Sequence, residues 1–108
     1  MSNARITNGP MQLIPNGTVA MRYVTVSSSS VNVINTTPLD TYTSHVWVTV
    51  TGANIRITTD GSNPTASQGH QITAGSTMIW SAAMARAVKA IREGGVDATL
   101  TISGLTAI

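Results

Sequence analysis

The sequence has no cysteine and no phenylalanine, only two Trp and two Tyr, and charge on just 9% of its residues. Without cysteine there is neither a disulfide framework nor a thiolate zinc site. The charge present amounts to six Arg and Lys against four Asp and Glu. Arg5, Arg22 and Arg56 stand apart, and only Arg86, Lys89 and Arg92 fall close together. A nucleic-acid binder concentrates positive charge on one face and interleaves aromatic residues for stacking, so nucleic acid is not an expected partner. The pI of about 9.7 reflects a shortage of acids as much as a surplus of bases. Long apolar runs are missing too. Nothing approaches the roughly 20 residues of a membrane helix, and the opening "MSNARITNGP" lacks the apolar core of a secretory signal. The expectation is no membrane partner and a protein made and kept in the cytoplasm.

What remains is rich in Thr, Ser, Val and Ile. Branched side chains are stiff at χ1 and fit a pleated surface, so this composition favours strands. At 108 residues the chain is long enough for one domain with a single core. The expected class is all-β: a compact antiparallel β-sandwich, Ig-like or jelly-roll-like, at residues 19–108, with an extended N-terminal arm at 1–18 and one short helical turn. The arm, "MSNARITNGPMQLIPNGT", is broken by Pro and Gly around a small apolar patch and cannot form a long regular element alone.

Along the chain, "VAMRYVTV" reads as a strand, "SSSS" as a loop, and Val31 and Val33 alternate with polar neighbours. In "HVWVTVT" Val46, Val48 and Val50 face one way while Trp47, Thr49 and Thr51 face the other, the period of a half-buried strand. "TGAN" then turns the chain into "IRITT", so residues 45–59 read as an antiparallel hairpin. Leu100 and Ile102 mark a closing strand. The stretch "SAAMARAVKAIREGG" fits two patterns: Met84, Ala87, Val88 and Ile91 have helical spacing before Gly94 and Gly95, yet the same residues read as a strand. The expectation is a helical turn near 81–86 followed by a strand from about 87 to 92.

Chemistry-bearing constellations are scarce. Eleven Ser, two His and four acids occur, but no pair of them has a spacing that brings nucleophile and base together. His45 and His70 each stand without a second His at ligand spacing. The turn "DGSNPT" offers Asp60 and Ser62 to a calcium ion, but Pro64 takes the fifth position and Gln71 stands where a bidentate Glu would be needed. Asp60, Gly61 and Pro64 therefore read as structural turn residues: a carboxylate that accepts local N–H groups, a glycine that tolerates positive φ, and a proline that sets the exit. Trp47, which points away from the valine face, is a candidate surface or interface aromatic, either a platform for a sugar ring or a subunit contact. No catalytic residue, cofactor or metal site is expected, and the chain is expected not to be an enzyme.

The blocks "VWVTVTGANIRITTDGSNPTASQGHQITAGSTMIW" and "VDATLTIS" resemble a group of small virion structural proteins of tailed bacteriophages, in which a strand enters a "TxDGSxPT" turn, an "AGS" turn follows, and a strand pair closes the domain. The turn by itself is also similar to Ig-like modules appended to chitin- and hexosamine-degrading enzymes. The resemblance covers residues 46–103. It implies a compact β-sandwich that serves as a capsid decoration or cement protein, or as a tail-associated structural part; the expected arrangement is a decoration protein on the virion surface, with the major capsid protein as partner, a homotrimer as the assembled form, and synthesis in the host cytoplasm. On that reading Arg5, Ile6, Met11, Leu13 and Ile14 are the arm's candidate anchors on a neighbouring subunit. The alternative expectation is a carbohydrate-binding or adhesive module at a tail or head surface, carried by Trp47.

Overall fold

The computed structural model describes residues 12–15, 21–34, 39 and 42–107. Their order is β1 (Leu13–Pro15), β2 (Arg22–Val26), β3 (Val31–Asn32), β4 (His45–Thr51), β5 (Ile55–Thr58), β6 (His70–Ile72), β7 (Thr77–Ser81), α1 (Ala82–Ala87), β8 (Lys89–Arg92) and β9 (Ala98–Ala107). One sheet has five strands. β9 lies along β4, which lies along β7, and the other side of β9 is shared by β2 and β1. The second sheet runs β3, β8, β5, β6. Every strand pair among the described residues is antiparallel. The protein is an all-β sandwich with one short helix.

Alternation in the strands places the core between the sheets. Val46, Val48, Val50, Leu100, Ile102, Val26 and Trp80 come from the five-stranded sheet, and Ile55, Ile57 and Ala90 from the other; all belong to one buried cluster. Burying each large aliphatic side chain contributes about 1.5–3 kcal/mol, which is how a chain so poor in aromatics still holds a core.

The hairpin expected at residues 45–59 does not form. β4 and β5 lie in different sheets, and the connection between them crosses the sandwich. Both sides of β4 are already occupied: β9 pairs with it over seven residues, from Thr99↔Thr51 to Leu105↔His45, and β7 pairs with it on the other side, from His45↔Ser81 to Thr49↔Thr77. β5 instead pairs with β6 and β8. Val46, Val48 and Val50 still face Ile55 and Ile57, now across the core rather than along one sheet.

The ambiguous segment resolves as a six-residue helix and then a strand. Ser81 caps the helix, its side chain accepting from the Met84 N–H at 3.1 Å. Ala82 and Ala85 are buried, small enough for the helix to lie against the core. Val88 is already extended at φ −72°, ψ 130°, and its N–H returns to the Ala85 carbonyl. The helix ends there because Val88, fully buried, is needed as core, and β8 begins one residue later.

The segment expected as an arm supplies one strand to the five-stranded sheet. Leu13, Ile14 and Pro15 pair with Ala107, Thr106 and Leu105 of β9. Leu13 is half-buried and Ile14 is exposed. Arg5, Ile6 and Met11, the other expected anchors, lie outside the described residues.

Candidate functional site

The "DGSNPT" turn joins β5 to β6, and its polar groups are turned on one another. The Asp60 carboxylate accepts from the Ser62 backbone N–H at 3.0 Å and from the Ser62 hydroxyl at 2.6 Å. These bonds, the hydroxyl first, hold its pKa below the usual carboxylate value. The Thr58 hydroxyl donates to the Ser62 carbonyl, Thr65 and Gln68 exchange backbone bonds, and Pro64 is buried. Asn63 Oδ1 accepts from Lys89 Nζ at 3.2 Å and from the Ser30 hydroxyl at 3.3 Å. The turn is thereby tethered to the edge formed by β8 and the loop before β3. Asp60, Gly61 and Pro64 sit where a turn needs them.

The outer surface of the four-stranded sheet carries a second polar cluster. Arg56 Nε donates to Glu93 Oε2 at 2.7 Å, and its Nη1 donates to the Gly69 carbonyl at 3.1 Å. Gln71 Nε2 reaches both Glu93 oxygens, at 2.8 and 2.9 Å. The Gln71 amide and then the Arg56 guanidinium keep the Glu93 pKa low against the opposing cost of burial. With both carboxylate oxygens engaged, this cluster clamps β5, β6 and the end of β8 together. Glu93 also rims an open hollow of about 420 Å³ between the connections at 52–54 and 93–96.

Among the described residues no group of three or more His, Cys, Asp and Glu could hold a metal ion. His45 Nδ1 lies 2.9 Å from the Ser44 hydroxyl, and His70 opens β6 on the other sheet. Sequence spacing kept the two histidines apart, and the fold does as well.

Among the described residues, most of the exposed large hydrophobic side chains lie on or beside the outer face of the five-stranded sheet. Register defines it. Tyr23 stands beside Thr101, Thr101 beside Thr49, and Thr49 beside Thr77. In the next row Ser103 stands beside Trp47 and Trp47 beside Ile79. Met21, just before β2, is also exposed. Thr25, Thr99 and Thr51 form a third row. Four of the exposed large hydrophobic residues are gathered here: Met21 at 52%, Tyr23 at 69%, Trp47 at 50% and Ile79 at 54%. Trp80, one residue further on, points inward and is buried at 5%.

No Asp, Glu, Lys or Arg projects from these strands onto this face among the described residues. Arg22 has the opposite parity on β2, and Arg56, Lys89 and Arg92 belong to the other sheet. The hydroxyls partly satisfy one another: Thr49 Oγ1 lies 3.4 Å from Thr77 Oγ1, and Thr51 Oγ1 donates to the Thr99 carbonyl at 3.4 Å. Besides the Tyr23 phenol, His45, of the same parity as Trp47 on β4, is the one titratable side chain that these strands place on this face among the described residues. Sequence reading found Trp47 by its parity. It missed Met21, Tyr23 and Ile79 because their proximity depends on pairing between strands distant in sequence; the signal available was their shared alternation against valine or tryptophan neighbours.

No protein-family model matches the chain, and no match was found among curated proteins or solved structures.

Proposed function

We propose that this chain is a structural protein of a bacteriophage virion, a capsid decoration or cement protein rather than an enzyme. It binds the assembled head and bridges neighbouring subunits of the major capsid protein. The sequence resemblance over residues 46–103 supports the particle, and one structural observation supports the mode of action: a sheet face whose strands carry no Asp, Glu, Lys or Arg among the described residues, with Tyr23, Trp47 and Ile79 exposed on it and Met21 beside it. Contiguous apolar surface of this kind gains free energy only when covered, so it marks an interaction surface. A chain that binds the assembled shell and not its dissociated subunits stabilises the shell by mass action. On this reading Leu13 and Ile14, at the corner where β1 meets the end of β9, continue the contact begun by Arg5, Ile6 and Met11.

The experiment is co-sedimentation with purified heads of the phage that encodes the chain, stripped of it and then re-incubated. The full chain returns to the pellet and raises the temperature at which heads release their DNA. A variant lacking residues 2–11, which leaves β1 and its pairs in place, stays folded by circular dichroism but binds less. Full chain that remains in the supernatant at every concentration contradicts the proposal.

The half-exposed Trp47 also favours a second reading, a carbohydrate-binding or adhesive module at a tail or head surface. An indole beside small hydroxyls can stack on a pyranose ring. Titrating the indole fluorescence with neutral oligosaccharides tests it, a saturable change being the supporting result.

A further inference from the structure

We propose that Asp60–Gly61 is the site at which the folded domain modifies itself with age, Asp60 passing through a cyclic imide to isoaspartate, and that Ser62 is the positioning residue that slows the change. The reaction is spontaneous and does not depend on what covers the five-stranded sheet.

Imide formation needs three things together: a side-chain carboxyl or carboxamide, a free backbone N–H on the next residue, and room around that nitrogen. Among the described residues only Asp60 has all three. Asn32 accepts from the Ile34 N–H at 3.2 Å, and the N–H of Val33, which follows it, is spent on the Val88 carbonyl. Asn54 accepts from the Ala74 N–H at 2.9 Å and precedes the branched, buried Ile55. Asn63 precedes Pro64, which has no N–H to offer. Asp97 is held by Arg92 at 2.6 Å, and Ala98 after it is buried where β9 pairs with β2. Asp60, by contrast, is exposed, and the Gly61 N–H has no hydrogen-bond partner among the described residues. A Cβ at Gly61 would meet nothing within 4 Å, and glycine has none to crowd its own nitrogen.

The turn brings the reacting groups near and also restrains them. Because it accepts from the Ser62 N–H at 3.0 Å, the Asp60 carboxyl is bent along the main chain past the Gly61 nitrogen. In the reaction that nitrogen attacks Asp60 Cγ; the N–Cγ bond forms, and the amide hydrogen leaves with the carboxyl OH as water. A second water then opens the imide. Cleavage of the N–Cγ bond restores aspartate, whereas cleavage between the nitrogen and the Asp60 main-chain carbonyl carbon leaves the chain running through Cβ and Cγ with a carboxylate on Cα. Nothing is oxidised or reduced, and the final mass is unchanged. An ionised carboxyl resists the attack, since its oxygen leaves as water only after protonation. Ser62 holds the group ionised and in place: its hydroxyl, 2.6 Å from Oδ1, and its N–H both stabilise the anion. Isomerisation takes the carboxylate off the side chain that makes both bonds, in the turn whose Asn63 is anchored to Lys89 and Ser30.

Trypsin makes the site directly readable. Asp60 is the sole aspartate of the tryptic peptide 57–86 and Asp97 the sole aspartate of 93–108, while Asn8-Gly9 and Asn16-Gly17 fall in 6–22. Purified full-length chain is stored for weeks at neutral pH, warm but below its melting point, beside a sample kept unfolded in urea. After digestion, isoaspartate is read by methyl transfer with an isoaspartate-specific methyltransferase and by chromatographic separation of isomers of equal mass. The expected result for the folded chain is isoaspartate in 57–86 and not in 93–108, formed more slowly than in urea. Ser62→Ala, shown to be folded by circular dichroism, raises the folded rate several-fold, Ser62→Thr keeps the hydroxyl and the wild-type rate, and Gly61→Ala slows the reaction in both samples. If Ser62→Ala does not fold, Ser62→Gly removes the same hydroxyl in its place. Absence of isoaspartate from 57–86 of the folded chain, its earlier appearance in 93–108, a folded chain that ages faster than the unfolded one, or a folded variant without the Ser62 hydroxyl that ages at the wild-type rate overturns the proposal.

Discussion

Gly61 and Gly69 both have positive φ, 84° and 122°, and lie at the two ends of the turn between β5 and β6, yet an added Cβ meets different surroundings at each. At Gly61 nothing lies within 4 Å, so Gly61→Ala costs only the conformational penalty, about 1–2 kcal/mol. At Gly69 the new atom falls 2.7 Å from the Ile57 carbonyl oxygen, a backbone atom of the paired strand that cannot move aside alone. Gly69→Ala is therefore the more destabilising of the two, and thermal unfolding of both variants checks the order. The carboxylates add a pH dependence whose sign follows from their hydrogen bonds. Asp60 and Glu93 both titrate below their ordinary values when folded. Their contribution is fully present above the unfolded carboxylate range and is lost as pH falls through the lower folded values. The melting temperature stays level from neutral pH to about 5 and declines below about 4. Asp60 is exposed and Glu93 partly so, so the decline is modest, and Glu93→Gln makes it shallower.

The helix shows how a short element is held by what flanks it. Six residues are too few for a stable helix by themselves, and α1 relies on the Ser81 cap and on the bond from the Ala82 N–H to the Ser44 carbonyl at 2.8 Å. Ser81→Ala lowers unfolding stability by about 0.5–2 kcal/mol, read from denaturant curves. In the core the expected cost is larger. Leu100, fully buried on β9 between Val24 and Val50, loses about 2–5 kcal/mol on change to alanine, a large part of the 5–15 kcal/mol that holds a typical domain. Individual strands were legible in the sequence because alternation is local: His45–Thr51 has the bounds its pattern implies, and the strand expected at 55–59 runs Ile55–Thr58, ending one residue earlier. The helix-to-strand change near Val88 was legible for the same reason. The partners were not. Alternation states which side of a strand is buried and says nothing about whether the next strand lies beside it or across the core, so the hairpin at 45–59 and the crossing actually formed share one pattern. The "DGSNPT" turn was readable because its bonds span only a few residues.

At the scale of the whole molecule, charge and exposed apolar surface are divided between the two outer faces. The four-stranded sheet carries the Arg56–Glu93–Gln71 cluster and the tethered turn, and the five-stranded sheet carries uncharged hydroxyls with exposed Tyr23, Trp47 and Ile79. No residue spacing announced that division, because it arises when β2, β9, β4 and β7 are brought side by side. Four of the seven exposed large hydrophobics among the described residues lie on or beside this face, and the proposed function is its covering. The absence of native cysteine makes the claim open to a direct measurement. Thr77→Cys places a single thiol at an exposed position on the outer face, and Ala66→Cys places one on the exposed turn of the opposite sheet. The measurement is the rate at which maleimide labels each thiol, first in dilute free chain and then on the assembled particle. The account predicts ready labelling of both thiols in the free chain and, on the particle, strong protection of Thr77→Cys while Ala66→Cys continues to react. Equal labelling of the two thiols on the particle would contradict it.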